Sequence, residues 1–470
     1  MGTINAAFSV MSQALDADQS ALNIVANNVA NANTSGYTRE VPNWQEKDPF
    51  VVNGVSYGSG VTETGATSVR DRVLTQRLDQ QQQLASASGA RLSALNTLQA
   101  LFTPDSGSTS STAGDIGSDI TGLFNSFSSL EANPTDNSLR EQVLSSASTL
   151  AGDVSNAAAS LNSQQSALNQ QTTGEISQVN ALTGTIAQLN QQIQSTSPNT
   201  DAGTLEDQRQ NDLSQLSQVI GINQVTTENN GLSITTTSGQ LLVSGDSSFQ
   251  LTSGTSDGVT HFFLGTTDVT AQLTSGGGSL GGDLTARDQD IPNVLASLDQ
   301  LAYSVSTQVN ALNNAGTDMA GDNGNAGNIF SEPTAIPGSA WSMSVVMTDP
   351  SHISASGLGQ GNGDNTNAVA MANLGGQAIV NGQTPSNFYA TFVTTLGSTV
   401  SSVQTENTAQ NASVTQLQAQ NDALSSVNLN DEAVSMSTLE RSYQAASQVF
   451  AMLNTIMASA LNLGVQTTVT

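Results

Sequence analysis

The sequence predicts a mainly α-helical, elongated protein with an inserted antiparallel β domain and with its N- and C-terminal helices paired. Three observations carry this reading. Apolar residues recur at helical spacing through most of the chain, the two ends bear matching apolar stripes, and residues 222–284 alternate short β-branched runs with turn signals.

At the N-terminus, residues 3–32 carry Ile4, Phe8, Met11, Leu15, Leu22, Val25 and Val29. The steps are 4, 3 and 4, then a heptad across polar Asp18, then 3 and 4, which is the a/d seam of a helix that pairs with another. The C-terminal stretch repeats the pattern. Met436, Leu439, Tyr443, Ala446, Phe450, Leu453 and Met457 alternate steps of 3 and 4, and Val449 and Ile456 widen the stripe. Each helix would run roughly 45 Å. The two ends match each other better than anything between them, so they are expected to pack together.

Between the ends, further helices are expected over 70–101, over 139–195 as one or two segments, and over 204–220, 291–313 and 386–427. The Ser- and Gly-rich stretch 104–115 and the Asn/Gly stretches 321–328 and 357–367 read as loops. In 222–284, Asn230-Gly231, Ser238-Gly239, Gly245-Asp246 and Asp257-Gly258 mark hairpin turns. "GGGSLGG" (276–282) reads as a flexible link back to helix, and "AWSMSVVMTDP" (340–350) as a β-prone patch pairing near the helical body. The expected layout is nested: a terminal coiled-coil assembly domain (1–50 and 428–470), a helical body (51–221 and 285–427), and the β domain (222–284) at the far tip.

Composition narrows the function classes. The chain of 470 residues has 38 acidic against 10 basic residues, a net charge of −28 and a pI near 4.1, with a single lysine, Lys47. Nucleic acid and anionic membrane surfaces are poor partners for it, since both require a basic patch. There is no cysteine, which excludes disulfides and thiolate metal sites. The first twenty residues lack a basic region followed by a continuous apolar run, so no cleavable signal peptide is expected.

Enzyme signals are weak, and no catalytic residue, cofactor or metal site is assigned. His261 and His352 are the only histidines, and each reads as an exposed or packing residue. Gly254-Thr255-Ser256-Asp257-Gly258 matches G-x-S-x-G, but a strand-like "VTHFFLG" follows where a nucleophile elbow needs a helix. "GGGSLGG" lacks the Lys-Ser/Thr of a phosphate-binding loop. "DNGNAGN" (322–328) is oxygen-rich enough for weak calcium binding, yet the twelfth position of an EF-hand starting at Asp322 is Pro333.

The termini speak more clearly. Asn23, Asn27 and Asn31 fall at i, i+4 and i+8, a polar stripe beside the Leu22-Val25-Val29 seam. Asparagine is a poor helix-interior residue. Its concentration there either frays the helix end, with Gly36 turning the chain in a left-handed conformation, or supplies amides that fix the register of neighbouring helices in an assembly.

"ALNIVANNVANANTSGYTRE" (21–40) and "VNLNDEAVSMSTLERSYQAASQVFAMLNTIMASALNLG" (427–464) resemble the terminal signatures of the bacterial flagellar axial proteins. Thr34-Ser35-Gly36-Tyr37-Thr38-Arg39, "GGSLGGDLTARDQDIPNVLASLDQLAYSVSTQVNALNNAG" (277–316) and "GDNTNAVAMANL" (363–374) resemble, within them, the family of the first hook-associated junction protein. Asn430-Asp431-Glu432 and Met436-Ser437-Thr438 are more polar than that family's usual pattern.

The resemblance implies a flagellar axial type of fold and a structural subunit, not an enzyme: a ring-forming homo-oligomer that joins the hook to the second junction protein and then to the filament. It also implies type III export without a cleaved signal, an extracellular location, and a cytoplasmic export chaperone on the C-terminal helix. The expected assembly interface is Phe8, Met11, Leu15, Leu22, Asn23, Val25, Asn27, Val29, Asn31, Leu439, Tyr443, Ala446, Phe450, Leu453 and Met457. The alternative is a secreted adhesin-like surface-binding protein whose β insertion is the recognition module. A hydrolase built around Ser256 stands further off.

Overall fold

The computed structural model describes every residue except Met1, Ser35, Asn53, 103–114, 198–200, 257–258 and 466–470. Helix α1 (Gly2–Asn31) leads into strand β1 (Glu40–Glu46), a small hairpin of β2 (Phe50–Val52) and β3 (Val55–Tyr57), and β4 (Val61–Ser68). Helices α2 (Arg72–Phe102), α3 (Ile116–Ala132), α4 (Asn137–Thr196) and α5 (Thr204–Val219) follow. Next come β5 (Ile222–Thr226), β6 (Leu232–Thr236), β7 (Leu241–Ser244), β8 (Ser247–Ser248), β9 (Leu251–Ser256), β10 (Val259–Leu264) and β11 (Thr267–Asp268). Helices α6 (Thr270–Thr274), α7 (Gly278–Thr285), α8 (Ile291–Ala315), α9 (Ser339–Ser342), α10 (Thr366–Asn373), α11 (Pro385–Ser425) and α12 (Leu429–Val465) complete the chain. The fold is mainly α with inserted antiparallel β structure, as the sequence predicts.

The 60-residue α4 is the strut of the molecule. Asp136 caps its start by accepting the Ser138 N–H at 2.8 Å, and no proline interrupts it. Its first half (Val143, Leu150, Val154, Leu161) packs with α2, α3, α8 and α11 into one apolar core. Its second half (Ile176, Val179, Ile186) packs with α5, α7 and the strands into another. Buried amides on α4 pin the sheets to it. Asn180 bonds both the N–H and the C=O of Leu251 at 2.9 and 2.8 Å, and Asn190 donates to the carbonyls of Leu232 and Gly245 at 2.9 and 2.8 Å.

Both inserted sheets are antiparallel throughout. Strands β5–β8 form a four-stranded meander and β9–β11 a three-stranded one. The expectation that this region sits at the far tip is corrected. Residues 204–284 share one core with the second half of α4, and α5 touches the base of the terminal pair, where Asp207 accepts the Thr38 N–H at 3.0 Å. Gln83 of α2 donates to the Ile222 carbonyl at 3.1 Å, tying β5 to the body. The β region therefore lies between the terminal helices and the first core.

"GGGSLGG" is likewise not a loose link. It opens α7 at a tight crossing, with Gly277 and Gly278 at φ +92° and +72°. A Cβ on Gly278 would collide with the backbone of Val219 and Ile220, and one on Gly282 with the Ala87 carbonyl of α2. Two further elements were not anticipated. Strands β1 and β4 pair with a register break between Pro42 and Trp44, which hides their alternation. Helix α3 buries Ile116, Ile120, Leu123, Phe124, Phe127 and Leu130 in the first core. The 340–350 patch forms one helical turn, α9, then an isolated bridge from Val345 to Phe330 beside that core.

Two consequences are measurable. Deleting 222–284 should uncover Ile176, Val179, Ile186, Leu213 and Leu216, so the variant should melt well below the intact chain and bind hydrophobic dyes. Burial also raises carboxyl pKa values, among them Glu175, which accepts from Ser279 at 2.5 Å, to about 7, Asp283 to about 6 and Asp79 to about 6. A raised acid pKa gives stability that is full below the unfolded value and lost as pH rises through the folded one. The melting temperature should thus fall between about pH 4 and pH 7 because of these groups, and Glu175→Gln should flatten the decline.

Candidate assembly interface

The terminal stripes meet as the sequence predicts. The Phe8 ring packs on Phe450 with centroids 4.3 Å apart, and near the other end Asn28 meets Glu432, so α1 and α12 run antiparallel. Ala17 and Ala21, both buried, let the helices approach closely midway. Along α1, Phe8, Met11, Leu15 and Leu22 are half-buried and Val25 is buried. On α12, Leu439, Ala446, Phe450, Leu453 and Met457 are half-buried against it. A cavity of about 430 Å³ lined by Ala6, Ala7, Val10, Met11, Tyr57, Gly58, Val449 and Leu453 opens where the β2–β3 hairpin approaches the pair.

Part of each stripe stays outside the seam. Val29, Tyr443, Val449, Met452 and Ile456 are exposed, and Val449-Met452-Ile456 form a second row on α12 beside the row that faces α1. The amide stripe behaves differently from its apolar neighbour. Asn23 and Asn27 are exposed and Asn31 is half-buried. Asn31 donates to the Asn27 side-chain oxygen at 2.9 Å, and Asn27 donates to the Tyr37 hydroxyl at 3.4 Å, so within one chain these amides brace the helix end. Gly36 turns the chain at φ +79°, as the sequence suggested.

The residue that organises the site is Asn28, which sequence reasoning passed over. It is 1% exposed, and all four of its hydrogen-bonding capacities are used. Its Nδ2 donates to the Glu40 carbonyl at 2.8 Å and to Oε2 of Glu432 at 3.3 Å. Its Oδ1 accepts from the Tyr37 hydroxyl at 2.9 Å and from the Glu40 N–H at 3.0 Å. Arg39 closes the group with a 2.7 Å ion pair to Glu432, while its backbone N–H bonds Ser425 at the end of α11. Burial, with the nearby carboxylates of Glu40, Asp207 and Glu432, pushes the Tyr37 hydroxyl up to about 12, keeping it a donor.

The signal for this group was present in two places. Asn28 lies one residue off the i, i+4 stripe, on the face that turns toward Glu432, and Glu432 itself stood out as unusually polar. A second lock sits next to it, where Arg70 pairs with Glu206 at 2.7 Å and with Asp207, and Arg72 pairs with Glu206 at 3.0 Å.

Ser256 and His261 do not converge on chemistry. Ser256 lies opposite Val259 in the antiparallel β9–β10 pair, a strand-to-strand geometry rather than a nucleophile elbow. His261 bonds Asp268 at 2.7 Å on the adjoining strand. Among the described residues, no helix is long and apolar enough to cross a membrane.

Paired terminal helices on a helical body fit the class that the terminal sequences resemble, the flagellar axial proteins. Comparison with known proteins agrees. Residues 106–330 match the family described as flagellar hook-associated protein FlgK helical domain, and residues 8–38 match the flagella basal body rod protein family. Flagellar hook-associated protein 1 of Escherichia coli K12 is 25% identical over 96% of this chain and 98% of its own length. Its counterpart in Bacillus subtilis 168 is 26% identical over 96% of each. A solved structure, that of the flagellar hook junction protein FlgK from Burkholderia pseudomallei, shares the fold at a TM-score of 0.65 and 19% identity, over 73% of this chain and 99% of that one. The chain is thus similar to flagellar hook-associated protein 1 over nearly its whole length, and it is a structural component of the flagellum.

Arg39→Ala would strand the buried Glu432 carboxylate and should cost roughly 3 kcal/mol in urea unfolding. Adding Glu432→Gln should recover part of that loss. Equal melting of both variants and wild type would mean that the ion pair holds nothing.

Proposed function

We propose that this protein is the subunit of a ring joining hook to filament, acting by packing and not by catalysis. In this reading residues 1–50 and 428–470 are the assembly domain, 51–221 and 285–427 the helical body, and 222–284 an inserted β domain. The partners are further copies of the chain, the hook protein below and the second junction protein above. Export runs through the flagellar type III route, with a cytoplasmic chaperone covering the C-terminal helix.

The observation that carries the proposal is the second apolar row on α12. Met452 and Ile456 are 58% and 52% exposed even though α1 has already filled the Phe450-Leu453-Met457 seam. A single chain thus satisfies one face of the terminal pair and leaves the other for its neighbours. Burying such side chains contributes roughly 1.5–3 kcal/mol each. The exposed amides of Asn23 and Asn27 flank the pair and supply directional bonds that set register. The similarity to the hook-associated proteins of Escherichia coli and Bacillus subtilis over nearly the whole chain supports the same placement.

The two rows separate experimentally. Met452→Asp should leave the melting temperature unchanged yet prevent purified protein from capping isolated hooks in electron micrographs. Leu453→Asp, which buries a carboxylate in the intrachain seam, should loosen α1 from α12 as well, seen as faster amide exchange in both helices. Normal capping by Met452→Asp would remove the outer row of α12 from the interface.

A further inference from the structure

Beyond the first core, two loops bring together three metal-ligating side chains from distant parts of the sequence. Nδ1 of His352 lies 2.7 Å from Oδ2 of Asp318 and 3.6 Å from Oδ2 of Asp322. The three ligand atoms all fall within 4.8 Å of one another. The loops that carry them are held by backbone bonds. Asp318 N–H donates to the Asp322 carbonyl at 3.1 Å, and Met319 N–H to the Ser351 carbonyl at 3.0 Å. Asn313 of α8, fully buried, donates to the His352 carbonyl at 3.2 Å and accepts the Ser354 N–H at 2.8 Å. The donor atoms are therefore placed before any ligand arrives.

Charge points to a cation. The Asp318 side chain is 0% exposed, yet among the described residues it has no ion pair with lysine or arginine, and His352 is its ion-pair partner. Its second oxygen accepts the Asp322 N–H at 2.7 Å, which orients the carboxylate as outer-shell bonds orient metal ligands. The buried Arg140 guanidinium also acts on Asp318 through space, but its hydrogen bonds go to the carbonyls of Pro134 and Ile353, so two carboxylates face one imidazole.

We propose that Asp318, Asp322 and His352 form a binding site for a divalent transition-metal cation of the zinc class. One imidazole and two carboxylates are a nitrogen–oxygen donor set that zinc accepts, with water filling the fourth position. Bonds of about 2.0–2.2 Å place tetrahedral ligands about 3.3–3.6 Å apart. The His352–Asp322 separation already matches. The shorter His352–Asp318 distance is a hydrogen bond whose proton the metal displaces, and the half-exposed imidazole has room to move outward. Calcium and magnesium prefer all-oxygen shells and are disfavoured by the imidazole. A bound ion would cross-link the 318–322 and 349–356 loops.

Isothermal titration of the full chain with zinc chloride near pH 7.5 tests this. Wild type should show one saturable site of roughly micromolar affinity, His352→Gln should lose it, and Asp322→Asn should bind about tenfold or more weakly. His261→Gln, which alters the other His–Asp pair, should bind as wild type does. Asp318 is left intact because its burial endangers folding, and circular-dichroism melts confirm that each variant is folded. Absence of saturable binding up to about 100 µM zinc overturns the proposal. So does retention of wild-type affinity in both the His352 and Asp322 variants, which would assign the binding to scattered surface carboxylates. Competition by calcium at equal concentration overturns the assignment to the zinc class.

Discussion

The architecture turns on the buried amide of Asn28. One side chain joins α1 to the 37–40 turn and to α12, and through Arg39 the same cluster reaches the end of α11. An amide in this position has no water to fall back on, so any slip between α1 and α12 strands donors and acceptors in a low-dielectric site. Apolar seams tolerate sliding, because one aliphatic contact resembles the next. The terminal pair owes its contact energy to the Phe8–Phe450 seam and its unique register to the Asn28 cluster.

Rigidity passes inward from that point along continuous helices. The Arg70–Glu206–Asp207 lock binds the same turn to α5, and α5 belongs to the core that the second half of α4 shares with the sheets. Helix α4 then carries the connection, without a break, into the first core. Helices α2 and α11 run beside it, with Asn407 of α11 donating to the Ala85 carbonyl at 3.2 Å. A flagellar structural component must keep its shape under load, and here each core is coupled to the other by helices, not by a linker.

Charge distribution sets how such a subunit meets its neighbours. With a net charge of −28, most of the scarce arginines are spent within the chain: Arg39, Arg70, Arg72, Arg91 and Arg287 pair with carboxylates, and Arg140 and Arg209 bond backbone carbonyls, while Arg77 and Arg441 stay exposed. Copies of an acidic surface repel at long range. In the proposed assembly, close association rests on apolar rows such as Val449-Met452-Ile456 and on neutral amides, whose contributions do not depend on opposite charge.

The sequence by itself determined most of the long helices, the terminal pairing, the presence of an antiparallel β insertion after residue 221, and the resemblance to the flagellar axial proteins. Those features are written in local periodicity, and the seam spacing on α1 and α12 survives folding because both helices bury that same face. What only tertiary structure decided depends on contacts between distant positions. The Asn28 cluster joins residues about four hundred positions apart, so the choice of Asn28 over Asn27 as the buried amide rests on which face of α1 meets Glu432 and the 37–40 turn. The β region moved from the tip to the middle because Ile176, Val179 and Ile186 on α4 needed cover that only the strands, α5 and α7 supply. The glycines at 278 and 282 look like part of a flexible link in one dimension and prove to be a close crossing in three, since the backbones of Val219, Ile220 and Ala87 leave no room for a Cβ. Periodicity reports which face of an element is buried; what buries it is settled by packing across the whole chain.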